Sequence, residues 1–94
     1  MQEGYVYILK SDSTGRFYVG SCTDVNRRFD EHRRGHTYTT RKYGPWRIKL
    51  IMKCPSLNEA RKLERKIKKW KSSKMTQRFI DANKHTQLTE QPQL

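Results

Sequence analysis

The sequence contains few cysteines and no long apolar run. Cys22 and Cys54 are its only cysteines and lie far apart, so neither a disulfide framework nor a Cys-x-x-Cys zinc site is expected. No apolar run approaches the length that a membrane-spanning helix needs, and the chain begins directly with a strand-like pattern. We therefore expect no signal peptide, no membrane partner and a reducing, cytoplasmic environment.

Acidic residues are also scarce. The 94 residues include 9 Asp and Glu against 21 Lys and Arg, which gives a formal charge of +12. Such an excess repels itself in a compact domain, and a polyanion is the partner that would relieve it. Nucleic acid is therefore the predicted partner, with a merely soluble basic protein as the alternative.

Two short runs rich in aromatic and β-branched residues, 5–9 and 17–20, flank the polar stretch 11–15 and predict a β-hairpin. Burial fixes the register, because a slip of one residue moves every side chain to the other face. One face is predicted to be buried and to carry Val6, Ile8, Phe17 and Val19. The opposite face would carry Tyr5, Tyr7 and Tyr18 beside the missing side chain of Gly20. This tyrosine face is either the floor of a site or a half-exposed aromatic surface.

A helix is predicted over 24–34, with Thr23 as its N-cap and Gly35 as its stop. Arg28 and His32 lie four residues apart on it, beside its apolar stripe. Residues 36–46 are predicted to be irregular.

A third strand is predicted over 47–54, with Ile48 and Leu50 on one face. Ser56 and Glu59 form a capping box for a long helix. Its apolar stripe consists of Ala60, Leu63, Ile67 and Trp70, with Glu64 at the edge of the stripe. A last short helix can place Met75 and Phe79 on one face.

The element order β-β-α-β-α-α predicts an α/β fold with a small, largely antiparallel three-stranded sheet flanked by helices. Residues 1–85 would form a single domain. Residues 86–94, which are polar and contain a proline, would form a disordered tail.

The chain resembles the GIY-YIG nuclease superfamily, particularly its small stand-alone bacterial members. The resemblance covers about residues 4–83, and its motifs are Tyr5-Val6-Tyr7, Tyr18-Val19-Gly20, Arg28, His32 and Glu64. Tyr5 stands where the first motif has glycine. Many catalytic members also have an asparagine soon after the glutamate helix, where this chain reads KSSK. Neither Lys74 nor Asn83 can be assigned that role from the sequence.

The resemblance implies a metal-dependent endonuclease that hydrolyses DNA, with RNA as a further possible substrate and with a role in repair or recombination. Glu64 would be the sole carboxylate ligand of Mg²⁺ or Mn²⁺, which is chemically sufficient because Mg²⁺ keeps several waters. Tyr7 would act as general base or position the water, and Tyr18 would orient the nucleophile or hold the phosphate. Arg28 would stabilise the transition state, and His32 would relay a proton or bind phosphate. A binding module of the same fold with weak or no chemistry is the alternative.

The nuclease interpretation requires Tyr7, Tyr18, Arg28 and Glu64 to surround one phosphate. A Glu64 carboxyl on the far side of the sheet from the two phenols would end it. Without the resemblance, Glu64 is simply half of an ion pair with Lys68, and each tyrosine is an ordinary strand residue.

Several basic residues are candidates for gripping phosphates, namely Lys10, Arg16, Arg41, Lys42 and Arg47. Tyr38, Tyr43 and Trp46 interleave with them, and such a mixture can present stacking surfaces to unpaired bases. For Trp46 we favour the simpler interpretation that it closes the core beside Pro45. A zinc site at His32 and His36 is not favoured, because Gly35 separates them and no third ligand is evident.

Overall fold

The computed structural model describes residues 2–35 and 38–86, which form an α/β fold around one three-stranded antiparallel sheet of order β2-β1-β3. The strands are β1 (Gly4–Ser11), β2 (Phe17–Cys22) and β3 (Trp46–Cys54). The helices are α1 (Val25–Arg33), α2 (Tyr38–Tyr43), α3 (Leu57–Trp70) and α4 (Ser73–Ala82), followed by a 3-10 turn, Lys84–Thr86. The predicted fold class is confirmed. No helix among the described residues combines the length and apolar character needed to cross a membrane.

The hairpin has the predicted register. Tyr7 pairs with Gly20 and Ile8 pairs with Val19 in the β1–β2 ladder. Since directly opposed residues share a face, Val19 lies on the face of Ile8, while Tyr18 and Gly20 lie on the face of Tyr7.

Both faces of the sheet are buried. The first core contains Val6, Ile8, Val19 and Leu50, packed against Ala60 and Ile67 of α3 and Ile80 of α4. The second core contains Tyr7, Leu9, Cys22 and Ile51, packed against Val25 and Phe29 of α1. Tyr7 is completely buried, so the face that carries the tyrosines belongs to a second core as well as to the candidate site.

Helix α1 begins one residue later than predicted. Asp24, not Thr23, is the N-cap, and its carboxylate accepts a hydrogen bond from the backbone N–H of Arg27. Asp and Thr are both good caps, so composition alone does not separate neighbouring candidates. Gly35 follows the helix with φ +76°, as its predicted role as the stop requires.

Strand β3 departs from simple alternation. The ladder shifts between Ile8 and Leu9, so that Leu50 faces Ile8 but Ile48 faces Leu9. The bulge places Lys49 between them, and Ile48 therefore lies in the second core rather than beside Leu50 as predicted. Trp46 lies on the same side as Ile48 and packs against the second core, which agrees with the interpretation of this residue as core-closing.

The segment predicted to be irregular contains helix α2 over Tyr38–Tyr43. The prediction was wrong there because a helix of this length has no periodic apolar stripe to reveal it.

Helix α3 has the predicted capping box, in which the Ser56 hydroxyl accepts from the Glu59 backbone N–H. Its stripe is confirmed, since Ala60 and Ile67 are buried and Leu63 and Trp70 pack against the first core. Helix α4 instead buries Thr76 and Ile80, with Phe79 against Trp70. Met75, which the sequence places on one face with Phe79, is 43% exposed. Of the predicted tail, residues 87–94 lie outside the described residues, as does His36.

Candidate active site

Tyr7 is the centre of the candidate site, and Gly20 makes room for it. A Cβ at Gly20 would lie 2.3 Å from the Tyr7 hydroxyl oxygen and 2.4 Å from its Cζ. The phenol therefore lies directly across the position where any other residue on β2 would place a side chain. The gap that the sequence predicts beside the tyrosines is thus filled by one of them.

Helix α1 brings His32 to the Tyr7 hydroxyl. The hydroxyl oxygen is 2.9 Å from His32 Nε2, and both groups are buried. The Phe29 ring meets the Tyr7 ring edge-on, with 5.1 Å between centroids. The Tyr18 ring lies 5.3 Å from the imidazole and 6.4 Å from the Tyr7 ring between centroids, so the three rings form one cluster. Arg28, one turn before His32, lies within hydrogen-bonding reach of the Tyr7 hydroxyl.

Burial holds His32 neutral. Loss of solvent, with the nearby positive charge of Arg28 acting in the same direction, lowers the pKa of His32 to about 4. Arg28 can only donate a hydrogen bond, so the Tyr7 oxygen accepts from it and the Tyr7 O–H is available to donate to Nε2. We assign the contact as the Tyr7 O–H donating to Nε2 of the neutral His32.

Burial also opposes ionisation of Tyr7. Desolvation raises the pKa of the Tyr7 phenol well above its ordinary range, and the neighbouring Tyr18 raises it further. Arg28 acts in the opposite direction and lowers the Tyr7 pKa, but it does not overcome burial. The geometry therefore favours the water-positioning role for Tyr7 over the role of general base.

Glu64 is held on the other face of the sheet. Ser21 pairs with Val6, so it lies on the face covered by α3, and its hydroxyl donates to Glu64 Oε1 at 2.5 Å. Lys68 Nζ donates to Glu64 Oε2 at 2.6 Å. Burial alone would raise the pKa of Glu64, but the hydrogen bonds from Lys68 and Ser21 outweigh it and lower that pKa. The carboxyl is thus ionised at neutral pH, and the predicted ion pair with Lys68 is present.

Tyr7 and Ser21, which holds Glu64, point to opposite faces of the sheet, and this difference would exclude a common site if the sheet continued past β2. It does not, because β2 is the edge strand among the described residues. Register fixes where a Cβ points, whereas a long side chain can reach around an edge. Arg28 acts on both sides of this edge, since its charge lowers the pKa values of Tyr7 and of Glu64. Arg28 therefore favours the ionised form of both the Tyr7 phenol and the Glu64 carboxyl at the β2 edge.

Glu64 fits the role of a single metal ligand. It is ionised, and only 20% of its side chain is exposed. Within residues 2–35 and 38–86, no three His, Cys, Asp or Glu side chains are grouped to hold a metal ion. A divalent ion on Glu64 would therefore take its other ligands from water and phosphate, which suits Mg²⁺. It would also have to compete with Lys68 for Oε2.

The predicted phosphate-gripping residues do not form one patch. Arg16 lies over the Tyr43 ring, and Lys42 lies between Tyr38 and Tyr43. Arg41 shares the Tyr38 ring with Lys42, whereas Arg47 pairs with Asp12 and Lys10 lies over Phe17.

The sequence reasoning missed Ser21 and Phe29 as parts of the site. The register would have identified Ser21, because the residue opposite Val6 must face α3. Asn83 is engaged elsewhere, since its side-chain amide donates to the backbone carbonyl of Phe79 at 2.8 Å and closes α4.

The chain is thus a small α/β domain with paired tyrosines on its hairpin, an arginine and a histidine on its first helix, and a glutamate on its long helix. The family model described as the GIY-YIG catalytic domain matches residues 3–78, and the chain belongs to this family, whose domain is generally that of nucleases. It is 40% identical over 65 residues to the UPF0213 protein BH0048 of Halalkalibacterium halodurans, covering 68% of each chain. The solution NMR structure of the UPF0213 protein BH0048 from Bacillus halodurans matches with a TM-score of 0.56 at 33% identity. This match covers 85% of this chain and 84% of that one.

Proposed function

We propose that the protein is a metal-dependent endonuclease that hydrolyses DNA phosphodiester bonds. The observation that carries the proposal is that Gly20 and Ser21 are neighbours on the edge strand β2, because the Tyr7 hydroxyl lies against the first and the Glu64 carboxylate accepts a hydrogen bond from the second. Arg28 acts on the pKa of both groups there. A phosphate at this edge would meet a fixed guanidinium, a phenol and an ionised carboxylate at once. Membership of the GIY-YIG family supports nuclease chemistry in general.

In this proposal Glu64 holds Mg²⁺ or Mn²⁺. The bound ion would supply Lewis-acid polarisation of the phosphate and neutralise its charge. Arg28 donates to the phosphate oxygens where negative charge develops in the transition state. Its planar fork suits phosphate geometry better than a lysine would.

The buried pair of Tyr7 and His32 orients the nucleophile. Tyr7 remains protonated, and its hydrogen bond to neutral His32 fixes the direction of the hydroxyl. A water that donates to the Tyr7 oxygen would be held in one position, which is the proximity contribution to catalysis. Tyr18 is partly exposed at the same edge and is placed to contact the phosphate.

The formal charge of +12 supports nucleic acid as the substrate. Phosphate contacts give affinity without reading sequence, so we propose weak sequence preference. A role in repair or recombination would follow from action on branched or damaged DNA.

A second candidate function is a nucleic-acid-binding module without efficient chemistry. It is favoured by Lys68, which occupies the carboxylate oxygen that a metal would need. It is also favoured by KSSK, where many catalytic relatives have asparagine. This candidate predicts undiminished DNA binding in chelator and no cleavage with any metal.

The test is cleavage of supercoiled, branched and single-stranded DNA by purified protein with Mg²⁺, Mn²⁺ or chelator. Glu64→Ala should abolish cleavage while leaving the fold and most of the DNA affinity intact. Glu59→Gln is the matched control, because Glu59 lies on the same helix, is 53% exposed and pairs only with Lys62 among the ion pairs of the described chain.

Equal nicking by Glu64→Ala and the parent protein would assign the activity to a contaminant or another site. Loss of cleavage in Glu59→Gln as well would mean that the helix, rather than the carboxylate, had been damaged.

A further inference from the structure

A cavity beside the candidate active site is lined by aromatic rings and an arginine. It has a volume of about 390 Å³ and is bounded by Arg16, Phe17, Tyr38, Tyr43 and Trp46. We refer to these five residues as the aromatic box. Three different segments build it, namely the start of β2, helix α2 and the start of β3.

Cations are held against the rings of the aromatic box. The Arg16 guanidinium lies 4.8 Å from the centroid of the Tyr43 ring. Lys42 Nζ lies 5.4 Å from the centroids of both Tyr38 and Tyr43. Such contacts contribute about 0.5–1 kcal/mol each at exposed sites and keep charge and ring together. The box therefore presents flat apolar faces and positive charge within the same few ångströms.

Tyr38 is unusually exposed for a large ring. It is 59% exposed, the highest value among the large hydrophobic side chains that the structure describes. A single exposed aromatic ring is unremarkable, but this one borders a cavity and carries cations beside it. An exposed ring with adjacent charge is the arrangement that takes up a base and its phosphate together.

The aromatic box adjoins the candidate active site. The Trp46 ring meets the Tyr18 ring edge-on with 6.0 Å between centroids, and Tyr18 contacts His32. A second groove of about 450 Å³ also borders Tyr18 and shares Arg16 and Phe17 with the box. This groove continues along the helix side, lined there by Lys68, Lys71, Ser72 and Ser73. Box and groove thus form one path past Tyr18, aromatic at one end and basic at the other.

We infer that the aromatic box binds an unpaired nucleobase next to the phosphate held at the β2 edge, so that the preferred substrate carries a single-stranded segment. This inference rests on the proposed function and specifies its substrate class. Bases inside a duplex are already stacked on their neighbours, and extruding one costs a few kcal/mol. An apolar peptide is a poorer occupant, because it would leave Arg16, Arg41 and Lys42 without anionic partners.

Binding can be measured without cleavage by using Glu64→Ala in chelator, with fluorescence anisotropy of a labelled single-stranded oligonucleotide and of a blunt duplex of the same sequence. Tyr38→Ala and Tyr43→Ala should each weaken single-strand binding by about 5- to 100-fold, the range for loss of one stacked base. Duplex affinity should change less than twofold. Tyr38→Phe is the matched control, because it keeps the stacking ring and should bind single strands like the parent.

Two results would overturn the inference. Equal weakening for single strand and duplex would mean that the box acts on backbone phosphates only. A loss in Tyr38→Phe as large as that in Tyr38→Ala would mean that stacking is not what the ring provides.

The inference and the proposed function fail differently. If Tyr38→Ala leaves single-strand affinity unchanged while Glu64 remains essential for cleavage, the inference falls and the nuclease stands. If single strands bind through Tyr38 but no metal supports cleavage by the parent protein, the inference stands and the nuclease proposal falls.

Discussion

Replacing Gly20 with alanine should displace Tyr7 and damage the candidate site without removing any polar group. The added Cβ would lie 2.3 Å from the Tyr7 oxygen and 2.4 Å from Cζ, whereas non-bonded heavy atoms prefer about 3.5–4.0 Å. The ring must therefore move by about 1 Å. It has little space, because Phe29 packs against it edge-on and Tyr7 is completely buried.

The expected cost has two parts. Overpacking a well-filled core costs typically about 1–3 kcal/mol of unfolding free energy. A 1 Å shift also breaks the 2.9 Å contact between Tyr7 and His32, which contributes about 1 kcal/mol. For a domain of this size each kcal/mol lowers the melting temperature by about 4–8 °C. Misplacement of a positioning group by about 1 Å can cost about 100-fold in rate.

The assay combines thermal unfolding with plasmid nicking for Gly20→Ala and for Val19→Ile. Val19→Ile adds a carbon to the neighbouring residue of β2, but on the first core, away from Tyr7. Both variants should lose stability, whereas only Gly20→Ala should lose nicking activity at a temperature where both are folded. Tyr7→Phe combined with Gly20→Ala should be less destabilised than the sum of the single variants, because the closest clash is with the hydroxyl.

Unchanged melting and nicking in Gly20→Ala would refute the reasoning that Gly20 is reserved for the Tyr7 ring. Equal loss of nicking in Val19→Ile would show that general overpacking, rather than displacement of Tyr7, controls activity.

Two further predictions concern charge. The pKa of His32 is lowered from 6.5 to about 4 by burial and by Arg28, so the unfolded chain binds a proton more readily between these values. The stability of the parent protein should therefore fall as pH decreases from about 7 to 4, by on the order of 3 kcal/mol from this group. His32→Gln should flatten that part of the profile in urea unfolding, and identical slopes would contradict the assignment. Lys68→Gln should lower the Mg²⁺ concentration for half-maximal cleavage at saturating DNA, because it frees Glu64 Oε2; an unchanged or higher value would show that Lys68 does not compete with the metal.

The hairpin could be predicted in detail because a single physical constraint fixes it. Each face of the ladder is buried, so the alternation of Val6, Tyr7 and Ile8 leaves one register that satisfies both cores. The cap of α3 is equally local, since the Ser56 hydroxyl accepts a hydrogen bond from the backbone N–H of Glu59, three residues on, without help from the rest of the fold.

The β3 bulge and helix α2 could not be predicted on the same grounds. The bulge is set by where Trp46 and Ile48 must pack, which depends on α1 lying over the second core. Helix α2 has too few residues for periodicity to show, and its rings are engaged by Arg16 from the β1–β2 turn. Both features are consequences of tertiary contacts between distant segments.

The role of Tyr7 could be predicted only in part from the sequence. Sequence alone identifies a cation four residues before His32 that could favour a phenolate, and the structure places Arg28 within reach of Tyr7. The sequence does not show how deeply the phenol is buried. Burial decides whether Tyr7 stays protonated, because it raises the Tyr7 pKa more than Arg28 lowers it. A group held in this balance serves better as a fixed hydrogen-bonding partner for water than as the base that deprotonates it. In the proposed function, the partly exposed residues Tyr18 and Glu64 would then meet the phosphate, together with Arg28.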